Sequence, residues 1–149
     1  MIAITLNFSK GYQKKLEMYA KKFRGGLIIG LTQVALMLEA EAKRRAPVKT
    51  GNLRRSIKAK VVARGKTPFV LIGSVVKYAA LQEFGGRIFV APKFKQALHW
   101  IQNGQHMFSK GHWITIKPKR FVSGSVADFT RSRKIHRTIA KAIKDETNK

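Results

Sequence analysis

Residues 46–57, Ala-Pro-Val-Lys-Thr-Gly-Asn-Leu-Arg-Arg-Ser-Ile, constrain the fold more than any other part of the chain. Pro47 has no amide hydrogen and its ring clashes with a preceding helical turn, so a helix arriving from the N-terminal side must stop there. Thr50-Gly51 then supplies a tight turn, because glycine tolerates positive φ. Leu53 and Ile57 drop into a core as a strand begins at about Ile57. A second segment, Tyr78-Ala-Ala-Leu-Gln-Glu-Phe-Gly-Gly86, reads as an aromatic-to-glycine corner in which Gly85-Gly86 permits a bend that no side chain would allow. It carries Glu83, one of only seven acids in a chain with 31 Lys and Arg. A carboxylate among apolar neighbours needs donors, either an arginine (Arg54 or Arg120) or the amides of a turn.

Around these segments the periodicities give an α+β pattern. Ile2, Ile4, Leu6 and Phe8 alternate as a strand. Ser9 can cap a helix through about Phe23 that Gly25-Gly26 breaks. A long central helix follows over about 27–45, with Leu27, Leu31, Val34 and Leu38 on one face and Ala35 and Ala42 beside them. Ile29, Leu36 and Ala40 fall on its far side, so two faces are covered, either inside one core or against another subunit. Strands are predicted at 57–63, at 69–73 as a continuous buried run, and at 113–117. Asn103-Gly104 between 97–101 and 106–109 is a strong hairpin signal. Its aromatic content, Trp100 and Phe108, exceeds what a solvent-exposed arm needs and suggests a subunit contact. A final helix from a cap at Asp128 to about Glu146 has an apolar stripe of Ile135, Ile139, Ala142 and Ile143. Lys134, Arg137, Lys141 and Lys144 lie nearly opposite, either as a solvated face or as a ridge for DNA or an acidic partner. The sum is one domain over 1–149: an antiparallel sheet of about five strands, a long central helix, an N-terminal helix and a C-terminal amphipathic helix. A hairpin insertion at about 94–113 projects from it.

Composition bears on function through charge. The formal net charge is +24, with 16 Lys and Arg against three acids in residues 1–75 and 15 against four in 76–149. The excess runs through the whole fold and favours an acidic partner, nucleic acid or protein. Paired carboxylates for acid–base chemistry are missing: Glu39 and Glu41 are two apart on a helix and diverge. His99 and His106 share a hairpin face, but two ligands do not make a metal site, and cysteine is absent. No phosphate-binding glycine loop, nucleophile elbow or sequence-reading DNA module is present. The apolar stretch 27–40 is shorter than the roughly 20 residues needed to cross a bilayer, and the N-terminus lacks a signal-peptide pattern. No enzyme activity, cofactor, metal or membrane association is expected.

The two motifs, in this order and at this separation, resemble those of the tail-completion (neck) proteins of tailed phages and the related virion morphogenesis proteins of Mu-like phages. The family pattern Ala-Pro-x-x-Thr-Gly-x-Leu-x-x-Ser-Ile is matched by Ala46, Pro47, Thr50, Gly51, Leu53, Ser56 and Ile57. Tyr78, Ala79, Glu83 and Gly85 match its second motif. Pro118-Lys119-Arg120-Phe121 stands where the family has Pro-x-Arg-Pro-Phe, without the second proline. The resemblance implies a structural protein of the virion that assembles as a ring at the head–tail junction, completing the tail or joining it to the capsid connector. Its partners would be itself, neighbouring neck, tail-tube or connector proteins, and DNA through nonspecific contacts. It would pass through the host cytoplasm during assembly. The competing class is a small basic protein that binds nucleic acid without sequence preference.

Overall fold

The computed structural model describes residues 10–148 apart from Lys66 and Lys95; the strand read at 2–8 and its capping Ser9 lie outside the described residues. One helix, α1 (Lys10–Arg45), dominates, at roughly 54 Å long for 1.5 Å per residue. It runs unbroken through Gly25-Gly26, where the sequence suggested a break. The reason lies across the interface. A Cβ at Gly26 would sit 2.7 Å from Ile143 Cα, and one at Gly30 would sit 2.8 Å from Ile139 Cα. These glycines let another helix approach backbone to backbone. By length and composition α1 could also cross a bilayer, with mean hydropathy 1.3 over an 18-residue window, so the stretch is longer than the sequence reading allowed. A core helix meets the same criterion, and here Val34, Ala35, Leu38 and Ala42 are buried within the fold.

α1 ends just before Pro47. A turn at Gly51 (φ 77°) leads into a short helix, α2 (Asn52–Ser56), which the sequence reading passed over, and then β1 (Ile57–Val62). β1 pairs antiparallel with β2 (Phe69–Ser74), Ile57 opposite Ser74 and Val62 opposite Phe69. β2 is not the buried run expected: Val70, Ile72 and Ser74 are half-buried, whereas Phe69 and Leu71 face outward. Among the described residues one face of this two-stranded sheet is covered, mainly by α1 with Ala79 and Phe121 at one end. Arg24 ties the two elements by donating to the carbonyls of Ala63 and Gly65 at 3.3 and 3.0 Å.

Helix α3 (Ala79–Phe84) follows, then β3 (Gly86–Val90), β4 (Leu98–Gln102), β5 (Gln105–Ser109) and β6 (His112–Ile116). The class is α+β, with the described strands in three antiparallel pairs: β1–β2, β3–β6 and β4–β5. The β4–β5 hairpin turns at Asn103 (φ 52°) and Gly104 (φ 78°), the two positive angles that a two-residue turn of this hand requires. The C-terminal region is two helices rather than one. α4 (Ser123–Arg131) begins five residues before Asp128, and α5 (Lys134–Thr147) starts after Arg133 takes a left-handed φ of 54°. Asp128 sits inside α4, where it pairs with Arg45 of α1 instead of capping a helix. α5 packs along α1 through the glycine seat.

The core is small. Ala42 and Ala46 from α1, Leu53, Ile57, Ala79 and Phe121 form its centre, with Ile72, Val76 and Val122 packed around them.

Candidate assembly interface

The core cluster is built from the two motifs and the Pro-Lys-Arg-Phe segment. Leu53 and Ile57 enter it from the first, Ala79 from the second and Phe121 from the third. Ser56 closes α2 by donating to the Leu53 carbonyl at 2.7 Å, and its oxygen lies 2.7 Å from that of Ser74 on β2. Pro47, Thr50, Gly51 and Leu53 also line an open cavity of about 440 Å³ with Tyr78 and Gln82, so the motifs meet at the surface as well. Gly85 (φ 73°) is closely packed: a Cβ there would lie 2.7 Å from the Ile116 carbonyl and 2.9 Å from the exposed Pro118.

Glu83 is buried, at 6% exposure. Its carboxylate accepts from the amides of Val122 and Ser123 at 2.9 and 2.8 Å, which makes it the acidic cap of α4 supplied from α3. Its donors are therefore amides and not Arg54, whose Nε donates to the Lys43 carbonyl at 2.9 Å. Arg120 contributes through its backbone, its amide donating to the Glu83 carbonyl at 3.1 Å. Burial opposes ionisation of Glu83, but the Ser123 hydroxyl and the amides of Val122, Ser123 and Phe121 outweigh it and hold the carboxyl below the ordinary glutamate range. This cap, with Lys119 N donating to Gln82 O at 2.8 Å, fixes the entry to α4 where the family pattern would have a second proline. Arg120, just before Phe121, adopts φ 46°.

Three further acids, Glu39, Glu41 and Asp128, are engaged by neighbouring cations. Glu39 accepts from Lys43 and from the Ala59 amide, and both interactions hold its carboxyl low. Glu41 is pulled down to about 2, by Arg44 first and Arg45 second. On α5, Lys134, Arg137, Lys141 and Lys144 are all exposed on the side away from half-buried Ile135, Ile139 and Ile143. Lys134 Nζ lies 5.3 Å from the centre of the Phe129 ring.

The residues read as subunit contacts separate. Ile29 and Leu36 are exposed on α1, Leu36 at 64%. In the hairpin, Trp100 turns inward and packs on His112 (ring centres 4.7 Å apart), whereas Phe108 faces outward at 68% exposure. Phe108 stacks on His99, which in turn stacks on His106 with the ring nitrogens 2.8 Å apart. Among the described residues no three His, Asp or Glu gather to hold a metal. A further exposed set went unread: Tyr12, Leu16, Tyr19 and Phe23. Their spacing of four, three and four is the signal the sequence carries for it.

Residues 10–85, more than half of the chain, match the model of a family described as "Bacteriophage HK97-gp10, putative tail-component". The chain belongs to this family. The match takes in α1, both motifs and the β1–β2 pair, and stops before the hairpin and the C-terminal helices. Neither the curated proteins nor the solved structures yield a match. The matched segment supplies Ala42, Ala46, Leu53, Ile57 and Ala79 of the core of this HK97-gp10-like chain, and Phe121 joins them from beyond it.

Proposed function

We propose that this HK97-gp10-like chain is a structural, non-catalytic subunit of the phage virion that acts at the head–tail junction as part of an oligomeric ring. The observation that carries the reading is surface. The isolated chain exposes 12069 Å², whereas a compact monomer of 16.8 kDa exposes roughly 7,600 Å². The twelve residues outside the described part can account for at most about 2,000 Å² of that excess, the area of a fully unfolded segment. Much of the excess is apolar, including Leu16, Tyr19, Phe69, Leu71 and Phe108, more than a soluble monomer ordinarily leaves in water. Three two-stranded sheets with open edges belong to the same picture, since such pairs are marginal alone.

The charge supports a place beside DNA or an acidic connector or tail protein. Exposed Lys134, Arg137, Lys141 and Lys144 present cations from a helix whose other side is already seated on α1. The test is to locate the protein in purified particles by symmetry-resolved electron microscopy, alongside the mass of the isolated chain in solution. Density for this fold at the neck, and a discrete oligomer, are the expected results. A lone monomer that is missing from particles and binds DNA with a steep salt dependence would favour the basic nucleic-acid-binding protein instead.

A further inference from the structure

The α1–α5 interface does not end where α5 ends. α5 runs antiparallel to α1, with Ile139 against Gly30, Ile143 against Gly26 and Glu146 near Gly25, and stops at Thr147. α1 continues past that point for residues 10–24, roughly 22 Å of helix. At 100° per residue, Leu16, Tyr19 and Phe23 fall on the same face as Gly26, Gly30 and Val34. They are 51%, 58% and 51% exposed. The seat that α5 fills is thus extended by an apolar stripe that α5 does not reach.

Charge narrows what can fill it. Beside the stripe stand Lys15 and Lys22, and Glu17 is the one acid between residues 10 and 38. Another α1 or α5 of this chain would bring its own lysines and arginines against these and be repelled. The β4–β5 hairpin would not. Residues 96–109 hold no Lys, Arg, Asp or Glu, in a protein where charged residues make up 26%. They form the β4–β5 hairpin, whose outward face presents Ile101 and Phe108, 62% and 68% exposed, with the stacked His99 and His106.

We infer that the outward face of the β4–β5 hairpin of one copy docks on the Leu16–Tyr19–Phe23 stripe of the next, in line with α5. The two surfaces differ, so the contact is head-to-tail. Repeated around a closed rotation it gives a ring. The inference rests on the ring reading above and names the two faces that meet.

The chain has no cysteine, so introduced thiols report without background. A Tyr19→Cys chain mixed with a tagged Phe108→Cys chain under mild oxidation is expected to give a disulfide-linked heterodimer, and neither variant alone should link efficiently. Ile101→Lys with Phe108→Lys places two cations on an exposed hairpin face, where the fold can accept them. That variant is expected to raise the dissociation constant of self-association at least tenfold at low salt while leaving the circular dichroism spectrum unchanged. If the wild-type chain forms oligomers but the mixed cysteines do not link and the lysine variant assembles normally, the docking is wrong and the ring reading stands. If the full chain stays monomeric both alone and in virions, the ring reading falls and takes this inference with it.

Discussion

Glu83 shows how one side chain joins segments that are far apart in sequence. It stands on α3, yet its two accepted hydrogen bonds satisfy amides at the start of α4, beside buried Phe121. Glu83→Ala leaves those amides without acceptors and should lower stability by about 1–3 kcal/mol. Glu83→Gln, which keeps one acceptor oxygen, should cost less; urea midpoints for the three proteins check the order. The pH dependence follows from the direction of the shifts. Glu83, Glu39 and Glu41 all lie below their usual value of 4.5, Glu41 at about 2. A depressed carboxyl binds protons more weakly in the folded state, so its stabilisation is complete above about pH 4.5 and is lost as pH falls through the folded values. The urea midpoint of the wild-type chain should therefore be flat above pH 4.5 and drop below it. In Glu83→Ala that drop should be shallower, and a midpoint that rose on acidification would contradict the assignment.

Among elements, the glycines of α1 carry the sharpest contrast between sequence and structure. Helix propensity favours alanine over glycine by about 1 kcal/mol in a helix interior. At Gly25 an added Cβ meets only Glu146 Cγ at 3.8 Å, so Gly25→Ala should stabilise by roughly 0.5–1 kcal/mol. At Gly26 and Gly30 the same atom strikes the backbone of α5, and no side-chain rotation relieves it. Those two substitutions should destabilise by about 1–3 kcal/mol despite the propensity gain. Thermal melts of the three single variants suffice, and equal shifts in all three would exclude a glycine seat. The same position explains what was legible beforehand. Pro47, Gly51, Leu53, Ile57 and the Asn103-Gly104 turn act through their own backbone or the next few residues, and their outcomes could be read locally. Gly26 and Gly30 mean "break" or "close approach" depending on whether another helix lies opposite, and that helix begins more than a hundred residues later. The outward Phe69 and Leu71 are similar: a run of apolar residues signals burial on both faces, but among the described residues β2 is covered on one face. Glu83 was legible as a residue in need of donors, though not which donors, because the turn that supplies them is formed by residues 118–123.

For the whole molecule, the arithmetic of charge decides which surfaces can do what. Of seven acids, Glu39, Glu41 and Asp128 are held by Lys43, Arg44 and Arg45, and Glu83 by backbone amides. Little negative charge remains to neutralise 31 cations, so most of them face water or an external acid. Copies that closed a ring through such surfaces would repel, and self-association is better served by faces poor in charge. The exposed α5 ridge is then left for DNA or an acidic tail or connector protein. Arg137→Glu combined with Lys141→Glu should weaken binding to duplex DNA of arbitrary sequence. It should also reduce the slope of log affinity against log salt by about 2, as expected when two phosphate contacts are lost. Oligomer mass should not change. If the reversals instead dissolve the oligomer and leave DNA or partner binding intact, the ridge belongs to the subunit contact and the apolar faces must look outward to the rest of the virion.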